Sequence, residues 1–407
     1  MGGNVVFQGN VHQHWRQFWP LAPGTYRAVL THGGDEDIWP ALAMSAPFQV
    51  GCDSNSAPVT IRTPLRPPTR APVPPPTQAP VDMRPVIASA RRDIERVIES
   101  SPLLVGKFLR LAFHDCVSIC DGCVDMSFPD NAGLLMPIDA LQPIVDRYSS
   151  QGLSRTDIWM LSAVVAADVA EVDSGVDFPF QWIGRKTCEE LHDGDCGLNS
   201  QGNSSACTPT EGPHRSLCHA DTAGTDTINE FMSSAYGFNP QQIAAIMGAH
   251  TVGAMRDVNL GFDGRHGWDR SNSKLDQGYY LELVGDNAPN WTQVQLSNSD
   301  IPGIPPRFQF QATVEGLSLT MLNSDIAMVR NLVEGENLMP DGNVTCNFSG
   351  TNACSRNTPF FDVMKRYSLS RFLFLNDFRD ALDLMIENGY WRGGSCEEDE
   401  VCVLTLE

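Results

Sequence analysis

The chain has 407 residues, 42% of them hydrophobic, enough for two or three domains and a large core. Its formal net charge of −21 excludes nucleic acid and anionic membranes as electrostatic partners, and leaves solubility or the docking of a basic protein as its use. No apolar stretch is long enough to span a membrane, and the first 30 residues hold no apolar segment of the kind a signal peptide needs.

Residues 1–52 read as β structure. "GTYRAVLT" and "ALAMSAPFQV" are short, partly alternating runs either side of the turn-rich "HGGDED". They resemble the last hairpin of an immunoglobulin-like or fibronectin-like sandwich, and the segment is too short for a whole one. The expectation is a C-terminal fragment of such a module, with the natural N-terminus and any signal upstream. Residues 53–80 follow as a linker. "PVTIRTPLRPPTRAPVPPPTQAP" is rich in Pro and Thr and has no apolar period, so it should be extended and semi-rigid, and a carrier of O-glycans.

Residues 81–407 form the main domain and read as mostly helical. Ile87, Ala90, Ile94 and Val97 mark one amphipathic helix, and "SPLLVGKFLRLAFHD" a second. "SRTDIWMLSAVVAADVA" opens with Ser154 three residues before Asp157, a capping-box spacing, and is then apolar enough for a buried helix. "NPQQIAAIMGAH" puts Ile243, Ile246 and Met247 on one face, and "PFFDVMKRYSLSRFLFLNDFRDALDLMIENG" gives two late helices. Long Gly/Cys/Asp-rich loops, 174–225 and 256–275, lie between. No alternation of strands and helices suggests a parallel sheet.

The 12 cysteines fall into local groups, such as Cys346 with Cys354 and Cys396 with Cys402, whose spacings suit short closed loops. Sequons stand at Asn203, Asn290, Asn343 and Asn347. Together they favour a secreted, extracellular, disulfide-bonded glycoprotein.

Within "FLRLAFHDC", residues 108–116, Arg110 and His114 are four apart and share one helix face. Burying a cation beside an imidazole costs free energy unless both have partners or a task. "IAAIMGAHTVGAM" places His250 at the end of an apolar helix, where a surface cap, a structural histidine and a ligand all fit.

"RLAFHDC" and "MGAHTVG", in that order, resemble the haem peroxidase superfamily of plants, fungi and bacteria, over essentially all of residues 81–407. The resemblance implies an all-α fold with haem b between two helical halves. It implies reduction of hydrogen peroxide and one-electron oxidation, through compound I, of small donors, here phenolic or aromatic ones. His114 would be the distal base, Arg110 the group that stabilises the departing oxygen, and Asn131 of "FPDNAGL" the partner that orients His114. Phe113 stands where the secretory classes have Phe. His250 would be the axial ligand, with Asp325 of "MLNSDIAM" accepting its far N–H. Trp268 of "GFDGRHGW" matches the haem-side Trp of the intracellular class I enzymes, where it holds a radical or simply packs. Gly184 and Arg185 would lie at the haem edge, beside the donor.

Two cation sites follow from the same resemblance. Asp115 and Asp121 match distal calcium positions, although Cys123 stands where a Ser ligand is usual. Thr251, Asp269, Ser271 and Asp276 match a proximal site for calcium or potassium. Asn259 replaces the Arg of ascorbate enzymes, and Pro102 and Gly106 replace the acidic pair of manganese enzymes. A rival expectation is a matrix or adhesion protein with a peroxidase-like domain of low turnover, meeting extracellular protein or glycan partners through its N-terminal module.

Overall fold

The computed structural model describes residues 82–117, 119–126, 129–171, 174–191, 221–299, 305–394, 396 and 400–406, and the backbone of four short strands between residues 24 and 50. The chain divides into two compact units, Met1–Thr77 and Gln78–Glu407. In the first, β1 (Gly24–Tyr26) pairs antiparallel with β4 (Phe48–Val50), and β2 (Val29–Thr31) with β3 (Ala41–Met44). The Pro/Thr-rich linker lies outside the described residues.

The second unit is helical where the apolar periods place helices. Helix α1 (Arg84–Ser100) buries Ile87, Ala90, Ile94 and Ile98, and α2 (Leu104–Asp115) buries Leu104, Phe108, Leu111 and Ala112. After α3 (Leu135–Tyr148) comes α4 (Arg155–Ala170), in which every residue from Arg155 to Ala167 is buried. A helix with no polar face must be surrounded, and α1, α2 and α3 all pack on it. Its start is fixed by Ser154, whose side chain accepts from the Asp157 N–H while Asp157 takes the Ser154 N–H in return.

After the short strand β5 (Trp182–Ile183) and the single turn α5 (Cys188–Leu191), α6 (Thr225–Tyr236) and α7 (Pro240–Met247) begin the second half. Asn239 caps α7 by accepting from the N–H groups of Gln241 and Gln242. The helix runs into a 3-10 turn, Gly248–Thr251, which carries His250. Gly248 is required there: a Cβ would stand 2.2 Å from the Tyr280 hydroxyl and 2.4 Å from the Phe374 ring. Short α8 (Asp257–Leu260) and α9 (Gly278–Val284) follow, then α10 (Asn323–Ala327), α11 (Phe361–Leu369) and α12 (Arg371–Ile386). Among the described residues, no helix is long and apolar enough to cross a membrane.

Small sheets add to this helical body where helices alone were expected. β6 (Thr292–Leu296), β7 (Arg307–Val314) and β8 (Leu317–Met321) form an antiparallel meander. The β7–β8 turn has Glu315 at φ 52° and Gly316 at φ 83°, the left-handed pair that a two-residue type I′ hairpin demands. Near the C-terminus, β10 (Cys402–Leu406) pairs with both β5 and β9 (Tyr390–Arg392).

Candidate active site

Helix α2 presents Arg110 and His114 one turn apart, and a single turn of chain, residues 130–132, holds both. Asn131 Oδ1 lies 2.7 Å from His114 Nδ1. The Asn131 amide nitrogen donates to the Asp125 carbonyl at 2.8 Å, which turns its oxygen towards the imidazole. His114 Nδ1 must therefore carry the proton, leaving Nε2 with its lone pair. Arg110 donates from Nη1 to the Ala132 carbonyl at 2.9 Å and from Nη2 to the Asp130 carbonyl at 2.6 Å. Burial and the Arg110 charge push the His114 pKa down to about 3, against the pull of Asn131. Burial lowers that of Arg110 to about 10, so at neutral pH the pair is a neutral imidazole beside a cation.

Phe113 completes this face. Its ring stacks on Tyr236, centroids 5.3 Å apart, and meets His114 edge-on at 5.7 Å. The Tyr236 hydroxyl donates to the Phe113 carbonyl at 2.6 Å, tying α6 to α2. Gly106, two residues into α2, lets that helix press on the segment after His250. A Cβ would meet the Val252 carbonyl oxygen at 3.0 Å and the Gly253 Cα at 3.1 Å, so the two backbones pack closely here.

On the second histidine, Nδ1 lies 2.7 Å from Asp325 Oδ1. Asp325 is fully buried, whereas the His250 side chain is 30% exposed and its Nε2 has no partner among the described residues. Trp268 stacks on the His250 ring at 4.3 Å and donates its indole N–H to Asp325 Oδ2 at 2.9 Å. Sequence reasoning missed two further donors to this carboxylate: the Tyr279 hydroxyl at 2.9 Å on Oδ1 and the Leu322 N–H at 2.7 Å on Oδ2. An imidazole fixed at Nδ1 by a buried carboxylate, with Nε2 open, suits an axial ligand of a haem iron.

Gly184 and Arg185, expected at the haem edge, are both bonded to Asp157. The Arg185 side chain is 1% exposed and turned inward: Nη1 pairs with the fully buried Asp157 at 3.0 Å, and Nε donates to the Ile386 carbonyl at 2.6 Å. The Gly184 N–H donates to the same aspartate at 3.0 Å. This loop therefore anchors α4 to the end of α12. Asp157→Ala should lower unfolding free energy by about 3–5 kcal/mol, because it strands a buried cation. Urea unfolding checks this, and an unshifted midpoint would deny the pair its structural role.

The proximal cation candidates do come together. The Thr251 hydroxyl bonds Asp269 and lies 3.4 Å from Asp276, and Asp269 also accepts the Ser271 N–H at 2.7 Å. Burial raises the Asp269 pKa to about 6, and the Asp276 charge adds to the rise. Clustered oxygens with surplus negative charge, those of Thr251 and Asp269 buried, suit a hard cation.

The distal candidates lie in one tight loop, where Asp115 accepts the N–H groups of Gly122 at 3.1 Å and Cys123 at 2.8 Å, and Asp121 accepts Cys123 at 3.2 Å. Cys123 is bonded to Cys188, so neither sulfur offers a thiolate to a metal beside Asp121. Cys116–Cys120, Cys346–Cys354 and Cys396–Cys402 are the other described pairs. Cys52, Cys196, Cys207 and Cys218 lie outside the described residues.

A family model described as Peroxidase matches residues 90–334. The cytosolic L-ascorbate peroxidase 1 of Oryza sativa subsp. indica is 27% identical over 170 residues, 42% of this chain and 56% of that protein. Putative heme-binding peroxidases of Cryptococcus neoformans var. neoformans and Mycosarcoma maydis are 26% and 25% identical over 261 and 272 residues. These alignments cover 64% and 66% of this chain and 60% and 63% of those proteins, so the chain spans less than two thirds of each of the three relatives. Arg110, His114, His250, Trp268 and Asp325 all fall inside the family match, which takes in more than half of the chain; the chain belongs to the peroxidase family, in the haem peroxidase superfamily of plants, fungi and bacteria.

Proposed function

We propose that this chain is a haem-b peroxidase that reduces hydrogen peroxide and oxidises small phenolic or aromatic donors in one-electron steps. What carries the proposal is the contrast between its two histidines. His114 is held by a neutral amide, which leaves a mild base, and His250 by a buried carboxylate, which makes a strong ligand. Haem, held by His250, would supply the electrons that cleave the O–O bond and store the oxidising equivalents. His114 Nε2 takes a proton from hydrogen peroxide and delivers it to the departing oxygen, which leaves as water. Arg110 opposes the negative charge growing on that oxygen. Asn131 keeps the acting nitrogen of His114 unprotonated at the outset.

Asn259 sits against Gly133 in the distal turn, so the Arg position used for ascorbate is filled here by a packed amide. This favours a general donor over ascorbate, despite the names of some relatives. Thr251, Asp269, Ser271 and Asp276 would hold calcium or potassium. Secretion is supported by the disulfide pairs and by the sequon residues Asn290 and Asn347, both exposed.

The test is the visible spectrum of the haem-loaded full chain before and after one equivalent of hydrogen peroxide. A Soret band that falls at once and returns on adding a phenol is expected. A band indifferent to peroxide would overturn the enzymatic assignment and favour the matrix or adhesion protein.

A further inference from the structure

A separate cavity of about 460 Å³ lies between the end of α9, the start of α11 and the loop closed by Cys346–Cys354. Part of its wall, including Phe348, Arg356 and Lys365, comes from beyond residue 334, where the family match ends. The chain as a whole is acidic, yet this wall carries Arg330, Arg356 and Lys365 against a single acid, Asp286.

Lys365 is already engaged, 2.8 Å from Asp286 and 3.0 Å from the Val284 carbonyl. Arg330 is different. It is 2% exposed, with Nε on the Phe348 carbonyl at 2.7 Å and Nη1 on the Val329 carbonyl at 2.8 Å. Its guanidinium lies 4.0 Å from the Phe348 ring centroid. Among the described residues no carboxylate pairs with it, and Nη2 has no protein partner. Exposed Arg356 adds a like charge and makes no ion pair among the described residues. Burial and that second charge together push the Arg330 pKa down to about 10. A buried cation facing another cation, with neither neutralised, is costly in an empty pocket and favourable once an anion enters. Leu283, Val284, Pro289 and Phe361 supply apolar wall around the charges. The volume far exceeds what a bare ion needs and suits a small organic molecule.

We propose that this cavity binds a small organic acid, its carboxylate meeting Arg330 and Arg356 and its apolar or aromatic body lying against Pro289 and Phe361. The site is independent of the two histidines and of the peroxidase proposal.

The experiment is calorimetric titration of the haem-loaded 407-residue chain with benzoate, benzyl alcohol and inorganic phosphate. Benzoate should saturate one site, with benzyl alcohol at least about tenfold weaker, because a charge-assisted hydrogen bond is lost. Arg356→Gln, a change at an exposed residue, should weaken benzoate about tenfold and leave the melting temperature unchanged. Arg330→Gln should abolish binding wherever that variant folds. Absence of saturable benzoate binding would overturn the proposal, as would phosphate binding as tightly as benzoate. Benzoate binding that shifts the Soret band and ignores Arg356→Gln would also overturn it, since the molecule would then sit beside the haem.

Discussion

Replacing His114 by Leu should leave the protein folded and able to take up haem, while slowing its reaction with hydrogen peroxide about a thousandfold. The fold should survive because His114 is half-buried and makes one side-chain hydrogen bond, to Asn131. Leu fills similar space beside Phe113. The reaction should suffer because neither of the side chains grouped with His114 can replace it: Arg110 is a cation at working pH, and the Asn131 amide cannot take a proton. The pH profile adds an independent signature. With its pKa depressed to about 3, His114 stays neutral from neutral pH to well below pH 5, so the rate should be flat there and fall only as pH approaches 3. Burial disfavours the imidazolium, so the unfolded chain takes up this proton first. Stability from this site is therefore lost on acidification below about 6.5, the ordinary histidine value. Stopped-flow rates with peroxide would decide the matter. A His114→Leu enzyme as fast as the parent would remove His114 from the proton transfer, and a parent rate already halved at pH 6 would show that burial does not depress its pKa.

The helices were legible because their signal is local. Ile87, Ala90 and Ile94 announce α1 through spacing alone, and Ser154 with Asp157 announces the start of α4. Arg110 and His114 were legible through one helical turn of sequence. Asp325 was legible only through family resemblance, since an Asn-Ser-Asp turn carries no mark of burial until β8 and α10 fold around it. Tyr279 was not legible at all: its bond to Asp325 joins residues 46 apart, and "GYYLELV" reads as an ordinary buried helix. The β7 strand could have been found. Phe308, Phe310, Ala312 and Val314 alternate in "RFQFQATV" ahead of a Glu-Gly turn, a local period-2 signal. The ion pair of Arg185 was not legible. Its partner Asp157 lies 28 residues away, inside a helix cap.

The second large effect belongs to Asp325. Four donors converge on its carboxylate: His250 and Tyr279 on Oδ1, Trp268 and the Leu322 N–H on Oδ2. The side chain is fully buried, so none of these bonds can be replaced by bulk water. Asp325→Ala should cost about 3–5 kcal/mol of unfolding free energy, because it strands buried donors and removes the cap of α10 at once. That is a large share of the ~5–15 kcal/mol that holds an ordinary domain together. Asn is no rescue. All four partners donate, so whichever way an amide is turned, its NH2 group faces two other donors. Asp325→Asn should therefore destabilise nearly as much as Ala, whereas Tyr279→Phe, which removes one bond of the four, should cost only about 1 kcal/mol. His250 feels the same loss: without the carboxylate its ring has no fixed tautomer and no fixed plane apart from the Trp268 stack, so haem affinity should fall even in protein that remains folded. Urea unfolding of the apo variants separates the stability effect from ligation, and haem titration of the folded fraction reads ligation itself. If Asp325→Asn matched the parent in both measurements, the carboxylate charge would have no part in holding His250, and the contrast between the two histidines would lose its physical basis.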